Sequence, residues 1–185
     1  MRVIGVVAGV CAVALAVVGC GETVSGSGQP TTSAAGTPLS REQLFDPCTL
    51  PDSVIAATGV DPSWRESHPF GVDREQFKGC QWEAKGSDGR WGHFITVGST
   101  THTLDDFRAN SYYRNFRAVK VGDRDAIQFN LGTAEPPSEC EIAFSTTSQG
   151  VIFVTASKYI DSKTSTDPCK FAAIAAEQVA PSVPR

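Results

Sequence analysis

Four cysteines, Cys48, Cys80, Cys140 and Cys169, constrain this chain more than any other feature. No two form a close pair such as C-x-x-C, so a four-cysteine zinc site lacks the spacing it needs. An even number of dispersed cysteines in an exported chain implies two disulfides. The chain must therefore fold so that segments far apart in sequence meet. Two of the four share a local motif, because Asp46-Pro47-Cys48 returns as Asp167-Pro168-Cys169. Asp is a good N-cap and Pro suits the first helical position, so each Asp-Pro is expected to open a helix with Cys in its first turn. Cys80 and Cys140 instead begin alternating, strand-like segments. Helix-start cysteines meet strand-start cysteines more readily than their own kind, which leaves a sequential and a crossed pairing. Sequential elements are usually neighbours, so Cys48–Cys80 with Cys140–Cys169 is favoured. The nested pairing Cys48–Cys169 with Cys80–Cys140 stays open.

Export is written at the N-terminus. Arg2 is followed by an unbroken apolar and small-residue run to Gly19. Such a run is long for a signal peptide's apolar region and short for a membrane span. It ends Val17-Val18-Gly19-Cys20, which resembles a bacterial lipobox. That likeness implies a signal peptide over residues 1–19, cleavage before Cys20 and a diacylglycerol on the Cys20 thiol. An uncleaved anchor helix is the alternative. Residues 20–40 are rich in Gly, Ser, Thr, Pro and Ala, with Glu22 the only charge. They cannot offset their ordering entropy by burial, so a disordered tether is expected. Its reach would be about 25 Å on average and about 65 Å when taut. The Thr31-Thr32-Ser33 and Thr37-Pro38 pieces are candidates for O-linked sugar.

Residues 41–185 read as one domain. A short helix is expected from about Pro51 to Thr58, ending at Gly59. A second is expected from about Leu104 to Phe116, capped by Thr103, with Leu104, Phe107, Tyr112 and Phe116 as its buried stripe. Asp105 and Asp106 would sit at its positive end, Arg114 and Arg117 at its negative end. The third runs from about Pro168 to Val179, with Phe171, Ile174, Ala175, Gln178 and Val179 on one face. Between the helices the period is two. Cys80, Trp82 and Ala84 alternate with Gln81, Glu83 and Lys85; a turn follows at 86–89; then Trp91, His93, Ile95 and Val97 share a face. Ile127, Phe129 and Leu131 alternate with Gln128 and Asn130. Cys140, Ile142 and Phe144 alternate with Glu141, Ala143 and Ser145. Val151-Ile152-Phe153-Val154 is apolar on both faces and reads as a central strand. The order α-β-β-α-β-β-β-α predicts an α+β fold, an antiparallel sheet of about five strands with three helices packed on it.

Lipobox, tether, D-P-C, C-x-W at Cys80, V-G-D-x-D-A from Val121 to Ala126, and a closing D-P-C helix together resemble a family of actinobacterial cell-envelope lipoproteins of unknown function. The mycobacterial LprB and LprC lipoproteins are similar. The resemblance covers roughly Leu44 to Val179 and implies a place outside the cytoplasmic membrane, held by lipid. It implies no activity. The layout also resembles, in architecture alone, the extracellular sensor domain of a mycobacterial Ser/Thr kinase.

Chemistry is sparse. The net charge is −4, from 16 Lys+Arg against 20 Asp+Glu, which argues against nucleic acid. No G-x-S-x-G elbow and no phosphate-cradling loop is present. His93 reads as a core or edge histidine; a metal pair of His93 and His102 with Asp105 is the rival. No cofactor, metal or catalytic residue is expected. Two binding candidates remain. Arg108, Arg114 and Arg117, with Lys120 and Arg124 close behind and Tyr112, Tyr113 and Phe116 interleaved, could face an anionic headgroup, wall polymer or acidic partner. Trp64 and Phe70 lie in a stretch, Val60 to Gly79, that reads as an irregular loop and could line a small apolar pocket. The expectation is a monomeric, non-enzymatic lipoprotein that binds a ligand or envelope protein. A wall-directed hydrolase or transferase is the alternative.

Overall fold

A computed structural model describes residues 39–71, 74–85, 89, 91–163 and 165–185. The expected signal peptide, Cys20, nearly all of the expected tether and most of the turn expected at 86–89 lie outside the described residues. Gly36–Arg185 is one compact unit. Every described element, both disulfides and both apolar clusters fall inside it, so it is the folding unit.

The described strands are β1 (Asp61–Glu66), β2 (Phe77–Lys85), β3 (Trp91–Thr100), β4 (Tyr113–Val121), β5 (Arg124–Leu131), β6 (Glu139–Ser145) and β7 (Val151–Lys158). The helices are α1 (Asp52–Ala57), α2 (Leu104–Ala109) and α3 (Pro168–Val179). The strands form one antiparallel sheet of seven in the order β1-β2-β3-β7-β6-β5-β4. A meander enters from one edge and ends at β3. The chain passes through α2 to the far edge, and a second meander returns until β7 closes against β3. The strand apolar on both faces is thus the central one, as its composition predicts.

The sheet has two strands more than expected. β4 takes the last four residues of the segment read as helix, Tyr113–Phe116. α2 stops at Ala109, and Asn110 takes extended backbone. Tyr113–Val121 then carries Tyr113, Phe116, Val119 and Val121, aromatic and β-branched residues that favour a strand. Asn115 has φ 58° at an irregularity between Arg114 and Arg117, a conformation no helix interior accepts. Arg114 and Arg117 are therefore strand residues and not a helix C-terminus. β1 was expected to be loop. It is an exposed edge strand, where Pro62 removes no needed hydrogen bond.

The two D-P-C motifs differ in outcome. Asp167 accepts from the Cys169 amide at 2.8 Å and opens α3. Asp46 accepts from the Cys48 amide at 3.0 Å, but opens only a 3-10 turn, Pro47–Thr49. The cause is Pro51, which holds Leu50 at ψ 136° and forbids continuation. α1 begins afresh after Pro51.

α1 and α3 cover one face. Their core includes Trp82, Ile95, Val97, Ile142, Phe144, Ile152 and Val154, all nearly inaccessible. Full burial of one such aliphatic side chain stabilises by about 1.5–3 kcal/mol. α3 presents Ala172, Ala175, Ala176 and Val179 to this core, and the small side chains let it lie close to β6 and β7. The expected face was out of phase: Ile174 is 41 % exposed and Gln178 points to solvent. The disulfides are the sequential pair. Cys48–Cys80 ties the 3-10 turn to β2 and Cys140–Cys169 ties β6 to α3, with Cα separations of 5.2 and 4.9 Å. In the V-G-D-x-D-A segment, Gly122 supplies φ 58° for the β4–β5 turn. Arg124 donates to the carbonyls of Ala180, Val183 and Pro184 and holds the C-terminal end of the chain. Among the described residues no helix is long and apolar enough to cross a membrane.

Candidate functional site

The other face of the sheet is covered only in part, because α2 is six residues long and packs over β4 and β6. Its sequence explains why it forms there. Thr103 and Asp106 make a reciprocal capping box, and Phe107 is the buried anchor. Phe107 stands 5.8 Å from the ring of Phe129 and 6.3 Å from that of Phe153. Beside it a cavity of about 430 Å³ opens onto the sheet.

Two glycines shape its floor. Gly79 and Gly98 are directly paired across β2 and β3. The Phe70 ring lies over Gly79 and the Phe153 ring over Gly98; a Cβ on Gly98 would stand 2.0 Å from Phe153 Cζ. With no side chains beneath them, the rings lie low and leave space above. Phe70, Phe77 and Phe153 pack mutually at 5.9–6.3 Å and form one wall. Tyr113, 4.7 Å from Phe129, contributes to the other.

One row of the floor is polar. Register places Gln81, Thr96, Thr155 and Glu141 side by side on β2, β3, β7 and β6. Ser157 and Glu139 are opposed in the next row. Each pair is hydrogen-bonded across strands. Thr96 donates to Gln81 Oε1 at 3.2 Å, Thr155 to Glu141 Oε2 at 2.6 Å, and Ser157 to Glu139 Oε1 at 2.9 Å. Glu141 is only 3 % exposed, and its Oε1 has no partner among the described residues. Burial raises its carboxyl to about 7; the Thr155 hydroxyl pulls the other way and the charge of Glu139 adds to the rise. Burial, then the charges of Glu141 and Tyr112, push the Tyr113 phenol up to about 12. A buried carboxylate lacking a donor is costly. The arrangement can accept a hydrogen bond from a group placed in the cavity.

Phe70 is the one expected binding residue that lines this cavity. Trp64 sits on edge strand β1, 49 % exposed, with the Lys85 ammonium 5.8 Å from its ring. The basic residues are spread over three elements. Arg108 pairs with Asp105 on α2 at 2.8 Å, Arg114 with Glu135, and Lys120 with Asp125 at 2.7 Å. Arg117 lines a more polar hollow beside Lys158 and Asp167, at the start of α3. His93 and His102 lie on opposite faces. His93 stacks on Phe171 at 3.9 Å and burial lowers its pKa; His102 packs against Phe77 at 5.2 Å. Among the described residues no group of three or more His, Cys, Asp or Glu is placed to hold a metal ion. Sequence reasoning missed Glu141 and Glu139, and it placed Tyr113 with the basic residues rather than at this cavity. The available signal was the pair of strand-interior glycines, which mark close approach of another group.

Residues 15–182 match the family described as Protein of unknown function (DUF3558). The chain belongs to that family. The match spans both D-P-C motifs, all seven strands, the three α-helices and the pocket, so the pocket is part of what a DUF3558 domain encloses in this chain. No curated protein and no solved structure matches it.

Proposed function

We propose that this DUF3558 chain is a lipid-anchored envelope lipoprotein whose folding unit binds a small, largely apolar ligand between α2 and the sheet. The cavity carries the reading. Its volume of about 430 Å³ falls within the range of small-molecule sites. Its aromatic walls with a few converging polar groups match the usual make-up of such sites. The floor offers hydroxyls already committed to carboxylates, with no imidazole or thiol among the described lining residues, which favours recognition over catalysis. The V-V-G-C run ending at Cys20 supports lipid attachment, and two disulfides suit an oxidising compartment outside the cytosol. In this reading the protein resembles the LprB and LprC lipoproteins, acts as a monomer at the outer face of the membrane and has no nucleic-acid partner.

The test is native mass spectrometry of protein purified from its own membranes, beside a Thr96→Phe variant that fills the cavity. The reading expects a small adduct on the natural chain, released on denaturation and absent from the variant. An adduct present equally on both chains, or on neither, would refute it.

A further inference from the structure

We infer that the pocket selects an amphiphile with an apolar body and a positively charged ammonium head, the head seated against Glu141 and Glu139. The inference rests on the binding reading above and adds the chemical class of the ligand. It follows from three features of the floor.

The first is the orphan oxygen. Glu141 lines the cavity, and its Oε1 is buried and lacks a donor among the described residues, while Oε2 already accepts from Thr155. Nearly every buried polar atom in a folded protein has a partner, and the cavity is the space beside Glu141 from which one could come. A ligand that donates a hydrogen bond completes the set.

The second is the sign of the charge. Glu139 and Glu141 are two apart on β6 and so face the same way. Both line the cavity, and the charge of one opposes ionisation of the other. An anionic head would meet two carboxylates. A neutral hydroxyl would fill the orphan site but leave their repulsion in place. An ammonium does both, and a charge-assisted hydrogen bond is roughly twice as strong as a neutral one. Tyr113 stays neutral at physiological pH, since its phenol is pushed up to about 12. Gln81, Thr96, Thr155 and Ser157 are uncharged. Arg74 is the one cation among the described lining residues, and it is solvent-exposed, where water screens it.

The third is the separation of polar and apolar surface. The polar row crosses β2, β3, β7 and β6; Phe70, Phe77, Phe107 and Phe153 gather on one side of it, and Phe94, opposite Ser157, is the aromatic on the other. A ligand with a polar end and an apolar body matches that division; a uniformly polar molecule such as a sugar does not.

The experiment uses the folding unit 36–185 and three eight-carbon probes, octylamine, 1-octanol and octanoate, each followed by calorimetry at pH 7.5. Octylamine should bind about tenfold more tightly than octanol, and octanoate weakest. In Glu141→Gln the advantage of the amine over octanol should be mostly lost. Glu139→Gln, which leaves the buried carboxylate in place, should show a smaller loss in the same direction. Thermal midpoints establish that each variant is folded. Octanol binding as tightly as octylamine would overturn the ammonium head and leave the pocket standing. Octanoate binding best, or an amine preference unchanged in both variants, would overturn it as well. Failure of all three probes to bind would overturn the pocket reading and this inference together.

Discussion

Replacing Glu141 with Gln should reverse part of the pH dependence of stability. Glu141 is 3 % exposed, and burial raises its carboxyl from 4.5 to about 7. In the unfolded chain it ionises at its ordinary value. Below that value both states hold the proton and the stability associated with the shift is fully present. As pH rises, the unfolded chain releases its proton while the folded chain retains it, so stability is lost progressively until pH has passed through the folded value. A rise from 4.5 to about 7 corresponds to about 3 kcal/mol. Glu139 on β6, Tyr113 on β4 and Arg74 face the same cavity; the charge of Glu139 is one of the causes that raise Glu141, and Gln removes that repulsion together with the burial cost. Gln cannot ionise. The variant should therefore gain on the natural chain between about pH 4.5 and 7.5, by about 3 kcal/mol in total, or about 6–12 °C in Tm for a domain of this size. Gln also presents an uncharged amide to the orphan site, which adds an offset independent of pH. The assay is urea denaturation of the folding unit 36–185 and of Glu141→Gln at half-unit steps from pH 4.5 to 8. A difference that stays flat, or that grows in favour of the natural chain as pH rises, would refute the reasoning.

Other consequences follow from the same structure. Gly98→Ala places a methyl against the Phe153 ring and should destabilise by about 1–3 kcal/mol, with octanol affinity falling as the ring swings into the cavity; denaturation and calorimetry read both, and an unchanged affinity would mean the ring does not bound the pocket. Cys140→Ala with Cys169→Ala opens a loop with a sequence separation of 29 residues and should cost about 3.5 kcal/mol on chain-entropy grounds, seen as a lower urea midpoint with the Cys48–Cys80 bridge intact by peptide mapping. Trp64→Ala should change stability by no more than about 0.5 kcal/mol and leave ligand binding alone, because Trp64 is half exposed on an edge strand; a loss of binding would place it in the site after all. Cys20→Ser should abolish incorporation of a labelled lipid precursor and release the protein from the membrane fraction, and persistence of the label would refute lipid attachment at that thiol.

The parts of the fold legible in the sequence are those where one residue's chemistry settles local structure. Asp167-Pro168 begins α3 where an N-cap and a proline at the first position require it. Cys80, Trp82 and Ala84 alternate because every second residue of β2 enters the core. Both disulfides join a D-P-C turn to a strand, and the closeness of sequential elements is what favoured them over the crossed pairing. What stayed hidden depends on distant neighbours. Leu104 and Phe107 begin a true helix, and the aromatics that follow continue its spacing by chance, while Asn115 at positive φ and pairing with β5 make the segment a strand. The phase of α3 turns on alanines, whose burial reflects close packing rather than hydrophobic signal. The polar floor was least legible of all. Gln81, Thr96, Thr155 and Glu141 each read as the solvent side of an alternating or apolar strand, and only the register of four strands makes them one row. That α2 returns over the same face, and so turns it into a pocket, is a matter of topology.

The central claim, that the half-covered face of the sheet is the ligand site, is tested most directly by an amide NMR titration of the folding unit 36–185 with octylamine. The account predicts saturable shifts at Gln81, Thr96, Glu141 and Thr155 and at Phe107 of α2, with Ala172 and Ala176 on the opposite face unmoved. Shifts confined to the α3 face, or no saturable shift anywhere, would contradict it.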